Sequence, residues 1–73
     1  MTTMTLTACE RRAQDDDAHD SATFDLVGPA GRLRCKWLDA YFGMFQEAEN
    51  PKGFYMVRDF DRPDFHVENY SAA

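Results

Sequence analysis

The sequence predicts an α+β domain, a small antiparallel sheet of three to four strands with one short helix, and leaves an all-β meander as the alternative. Three observations predict it. Residues 23–38 alternate apolar and polar side chains around a Gly-Pro-Ala-Gly turn, residues 37–48 space apolar side chains at intervals near three and four, and residues 53–60 return to alternation.

The hairpin is the most legible element. Phe24 and Leu26 alternate with Thr23, Asp25 and Val27, and after Gly28 to Gly31 the residues Leu33, Cys35 and Trp37 alternate with Arg32, Arg34 and Lys36. A four-residue loop sets Val27 against Arg32, Leu26 against Leu33, Asp25 against Arg34, Phe24 against Cys35 and Thr23 against Lys36. This register collects the apolar side chains on one face. It opposes Asp25 and Arg34 on the other, where a cross-strand charge pair contributes roughly 0.2 to 1 kcal/mol. Leu33, Cys35 and Trp37 are expected to be buried and Arg32, Arg34 and Lys36 exposed, since a one-residue slip would exchange the two sets.

From Leu38 the spacing of Tyr41, Phe42, Phe45 and Ala48 predicts a helix with Asp39 as N-cap and Asn50-Pro51 as stop. Gly43 in its interior and Glu47 and Glu49 in its last turn oppose that reading. The rival is a bent strand over Tyr41 to Glu47. A strand over Gly53 to Phe60, a turn at Asp61 to Asp64 and a last strand over Phe65 to Tyr70 complete the sheet.

At 73 residues the chain has room for one domain. Every aromatic residue lies after position 23, so residues 23–73 are read as the folded domain and residues 1–22 as a flexible or weakly ordered acidic segment. Within that segment Met1 to Thr7 suits an edge strand or a disordered terminus, and Glu10 to Ala13 suits a single helical turn. Asp15 to Asp20 concentrates like charge without apolar anchors and reads as a solvated linker. A core this small is marginal, which favours completion by a second copy or another partner.

Formal charge is −5, which disfavours direct binding to a phosphate backbone. Arg32, Arg34 and Lys36 form a short positive strip that either pairs with Asp25 or meets a phosphate or acidic surface. Cys9 and Cys35 are separated by twenty-five intervening residues, neither a zinc-knuckle nor a redox spacing, and no apolar run approaches the length of a membrane span. A cytoplasmic, reduced protein is expected, with a Cys9 to Cys35 disulfide as the alternative in an oxidising compartment.

Chemistry is poorly served by this sequence. Neither His19 nor His66 stands at a spacing that selects a mechanism, and the run Asp15, Asp16, Asp17, His19, Asp20 lacks the order and glycine of a calcium loop. No phosphate-binding loop or dinucleotide fingerprint is present, so no catalytic residue, metal ligand or cofactor is assigned.

The expected function is therefore binding: a small acidic module that occupies a surface of a protein partner. In one version Asp59, Asp61, Asp64 and Glu68 imitate nucleic-acid charge against a basic nucleic-acid-binding protein. Small acidic inhibitors of phages and mobile elements resemble this chain in size and charge alone. The alternative is a structural or regulatory subunit that forms a homodimer, either by continuing the sheet through an edge strand or through an aromatic face containing Tyr41, Phe45 and Tyr55.

Overall fold

The computed structural model describes residues 3–72. Its centre is the hairpin of β2 (Thr23–Gly28) and β3 (Gly31–Asp39), in the register the alternation predicts, from Val27 opposite Arg32 to Thr23 opposite Lys36. Cys35 and Trp37 are fully buried, Leu33 is half-buried against the core, and Arg32 and Arg34 are exposed. Lys36 is half-buried.

The sheet is larger than predicted. Among the described residues it has six strands in the order β1-β6-β2-β3-β4-β5, every pair antiparallel and the two edges unjoined. The others are β1 (Thr3–Met4), β4 (Met44–Glu47), β5 (Tyr55–Met56) and β6 (His66–Ser71). Strands β2 to β5 form a meander, and β6 returns beside β2 with β1 outside it. The three-to-four-strand α+β expectation is thus overturned, and the architecture lies closer to the all-β meander.

The helix expected over residues 38–48 is absent. Asp39 does cap, but it caps a turn: its Oδ1 accepts from the Tyr41 and Phe42 amides at 3.0 and 3.4 Å. Gly43 then takes φ 69°, a left-handed value that ends any helix, and a Cβ there would lie 2.8 Å from Glu10 Oε2. Beyond it Met44–Glu47 gains ladder bonds to β3 and a second partner in β5, which outweighs a helical spacing broken by glycine. The strand read over Gly53 to Phe60 is also shorter than expected. Only Tyr55–Met56 pairs, and Val57–Phe60 winds into the single turn α2.

The largest departure precedes the hairpin. Leu6–Asp15 forms α1, with Thr5 as N-cap accepting from the Ala8 amide at 3.0 Å. Its buried stripe is Leu6, Cys9 and Ala13. The Asp-rich run read as a solvated linker is a structured exit. Ala18 donates to the Ala13 carbonyl at 2.9 Å and Asp17 to that of Gln14 at 3.2 Å, a Schellman closure with Asp17 at φ 55°. Ala18 and Ala22 are buried with the stripe, so five of the twelve core residues come from this first segment.

Aromatic rings supply the volume that the small helix stripe lacks. Phe24 and Trp37 lie 5.0 Å apart, and Phe45 stands 5.5 and 5.6 Å from them and 5.9 Å from Phe60, with Phe60 then 5.4 Å from Phe65. This chain of rings crosses the α1 side of the sheet from β2 to the segment after α2. Cys9 and Cys35 are free and fully buried in the same layer, and burial pushes both thiols up to about 12.

Candidate interaction surface

The two faces of the sheet differ in chemistry. On the face away from α1, Asp25 binds Arg32 Nη1 at 2.9 Å, Arg34 Nε at 3.1 Å and Asn69 Nδ2 at 2.8 Å. Asn69 reaches Asp25 because β6 carries one extra residue: Asp25 pairs with Glu68 and Thr23 with Ser71, while Asn69 takes φ 54°. Glu68 in turn meets Arg32 Nη2 and His66 Nε2, both at 2.7 Å.

These contacts settle the electrostatics of that face. Burial raises the Asp25 carboxyl, but the hydrogen bonds from Asn69 and Arg32 and the charge of Arg34 outweigh it and hold the group below its usual range. Glu68 is lowered first by His66 and then by Arg32. Arg32 and Arg34 of the positive strip therefore serve carboxylates of their own sheet.

The residues singled out for partner binding separate into three groups. Glu68 is engaged in the network just described. Asp59 lies in α2, and Asp61 and Asp64 lie in the turn after it; all three are exposed, but Arg58 and Arg62 alternate with them, and Arg62 Nη2 donates to the Asp59 carbonyl at 2.9 Å. Tyr41 is exposed and Phe45 is not. Phe45 sits at 0% exposure among Phe24, Trp37, Tyr55 and Phe60, so it belongs to the core and cannot form part of an outer aromatic face.

The outer aromatic surface is built from other residues. Tyr41 is 61% exposed, Phe42 73%, Phe54 56% and Tyr55 37%. Phe42, Phe54 and Tyr55 lie at or beside β5, whereas Tyr41 packs its ring against His19, with 4.9 Å between centroids. Tyr41 and Phe42 occupy the turn into β4, and Phe42 shares a depression of about 370 Å³ with Thr7, Glu10, Met56 and Arg58. Tyr55 and Met56 form β5 itself, and Phe54 precedes them. Phe42 and Phe54 were missed as surface residues because strand alternation alone does not reveal which strand ends the sheet.

Two larger hollows, about 550 and 460 Å³, flank Phe60 and Phe65 between β1 and the β2–β3 turn. The second is lined mainly by apolar side chains, whereas half of the residues lining the first are polar, among them Asp61, Arg62 and His66, and His66 is held by Glu68. Among the described residues no three His, Cys, Asp or Glu side chains converge as metal ligands, and no helix is long and apolar enough to cross a membrane. Comparisons with protein-family models, curated proteins and solved structures match nothing to this chain.

Proposed function

We propose that the protein is a small structural or regulatory subunit that forms a homodimer through its aromatic β5 side. The observation that carries this reading is the concentration of Phe42, Phe54 and Tyr55, all exposed, beside one edge of an unclosed sheet. At ~200 Å² per aromatic side chain, their exposed fractions leave ~330 Å² in water on each copy. A standard interface takes ~800 Å² from each partner, so these three side chains supply about two fifths of it. Free, buried Cys9 and Cys35 support a reducing, cytoplasmic setting.

The acidic-face reading has less behind it. Arg58 and Arg62 stand among Asp59, Asp61 and Asp64, and Glu68 is already paired. Sedimentation equilibrium over a wide concentration range, at low and high salt, separates the two. A dimer indifferent to salt and lost in Phe42→Ser or Phe54→Ser supports the aromatic interface. A monomer that captures a basic protein, and releases it on charge reversal of Asp59, Asp61 and Asp64, supports the acidic one.

A further inference from the structure

The two edges of the sheet differ in their side chains, Thr3 and Met4 at β1 against Tyr55 and Met56 at β5. Edge strands in stable monomers are blunted by shortness, charge, proline or a bulge, since their unpaired backbone groups template pairing with another chain; β5 is short but has none of the other three. At β5 the residues Phe54, Tyr55 and Met56 put apolar side chains on both faces of the edge, and no charge or proline lies among them. The opposite edge, β1, is Thr3–Met4.

The ladder bonds show which backbone groups are free. Val57 donates to the Gly43 carbonyl at 2.9 Å, and β5 continues this register with Met56 opposite Met44 and Tyr55 opposite Phe45. In an antiparallel ladder the bonded pairs alternate, so Tyr55 turns its N–H and C=O toward Phe45 while Met56 turns its own outward. The far side of β4 agrees. Ala48 donates to the Arg34 carbonyl at 3.0 Å, which makes Gln46 and Lys36 a bonded pair and leaves the Phe45 backbone pointing at β5. Phe54 lies just before β5, outside its paired residues; continued one residue back, the same alternation turns its N–H and C=O outward with those of Met56, two donors and two acceptors along the free edge.

Resting on the homodimer reading, we propose that two copies join edge to edge through β5, antiparallel, with Tyr55 opposite its own counterpart across the twofold axis. Antiparallel pairing of a strand with itself is isologous, as a closed dimer requires. Centring it on Tyr55 matches Phe54 of each copy with Met56 of the other, and all outward donors and acceptors of both strands are satisfied at once. A shift by one residue centres a bonded pair on Phe54 or Met56; the first leaves the Met56 groups opposite the Lys52 segment, and the second runs into α2. Tyr55 then forms the narrow pair, with Cα atoms ~4.5 Å apart, within reach of a disulfide.

The test is Tyr55→Cys under mild oxidation, with Lys36→Cys as control. Lys36 lies on β3, so five strand spacings, ~24 Å, separate it from its counterpart in the joined sheet. The native Cys9 and Cys35 are buried and stay silent in the folded protein. A cross-linked Tyr55→Cys dimer with no cross-link for Lys36→Cys is expected. In the unmodified chain the Phe54 and Met56 amides should exchange with solvent at least ~10-fold more slowly in the dimer than after dilution, and this decides the matter alone if Tyr55→Cys does not fold. A salt-insensitive dimer whose Phe54 and Met56 amides exchange freely overturns the β5 pairing and leaves the homodimer reading standing. A chain that is monomeric at every concentration, as when a different protein covers this edge, overturns both.

Discussion

Asp25 on β2 and Arg34 on β3 stand directly opposite one another, with Arg34 Nε 3.1 Å from Asp25 Oδ1. The carboxylate is only 7% exposed and also serves Arg32 and Asn69. Asp25→Asn removes the charge that two guanidiniums share, yet both cations stay wet enough to be rehydrated. The expected loss is about 1–3 kcal/mol, read from urea unfolding. An unchanged midpoint would mean that the network contributes nothing.

Acid should weaken the fold. The carboxyls of Asp16, Asp25 and Glu68 are held below their usual range when folded, Asp16 chiefly by the Tyr70 hydroxyl and then by Arg12. The stability these contacts give is complete above the unfolded-chain values of ~4 and is lost as pH falls through the lower folded values. Glu10 runs the other way, raised by burial and then by Asp61, so its protonation on acidification relieves a small penalty. Three lowered carboxyls against one raised give a net decline. Urea midpoints should be level from neutral pH down to about 5 and fall below it.

Phe45 and Phe42 should behave as opposites although they lie three residues apart. Phe45→Ala empties the centre of the ring layer and should cost about 3–5 kcal/mol, enough to unfold much of a domain this small. Phe42→Ser removes a ring that is mostly in solvent and should change the stability of the dilute monomer by no more than about 0.5 kcal/mol. Circular dichroism melts of the two variants compare them directly.

Asp17 closes α1 in the left-handed region, where a side chain is strained and glycine is not. Asp17→Gly should therefore hold or raise the melting temperature, by up to about 1 kcal/mol of stability, although glycine also loosens the unfolded chain. Asp17→Val should lower it. A loss with glycine would show that the Asp17 carboxylate makes a contact stronger than the backbone strain.

The hairpin could be read residue by residue because its information is local: a period of two, a turn of glycine and proline, and opposed charges that agree on one register. The acidic balance was legible from composition alone. The segment before the hairpin was not. A helix that buries Leu6, Cys9 and Ala13 has no large apolar stripe, because its neighbours Phe24 and Trp37 fill the layer from the sheet side. Small side chains are what let it lie close, and they leave little periodic signal.

By itself the sequence determined the β2–β3 register, the Asp25 to Arg34 pair and the inward side of Cys35 and Trp37. Only the tertiary structure decided that Met44–Glu47 is a strand, that Phe45 is core while Phe42 is surface, and that β5 ends the sheet. The physical reason is range. Alternation and turn chemistry act between neighbours in the chain, whereas the strand that lies on an edge, and the ring left in water there, depend on which distant segments pair and which pairing remains open.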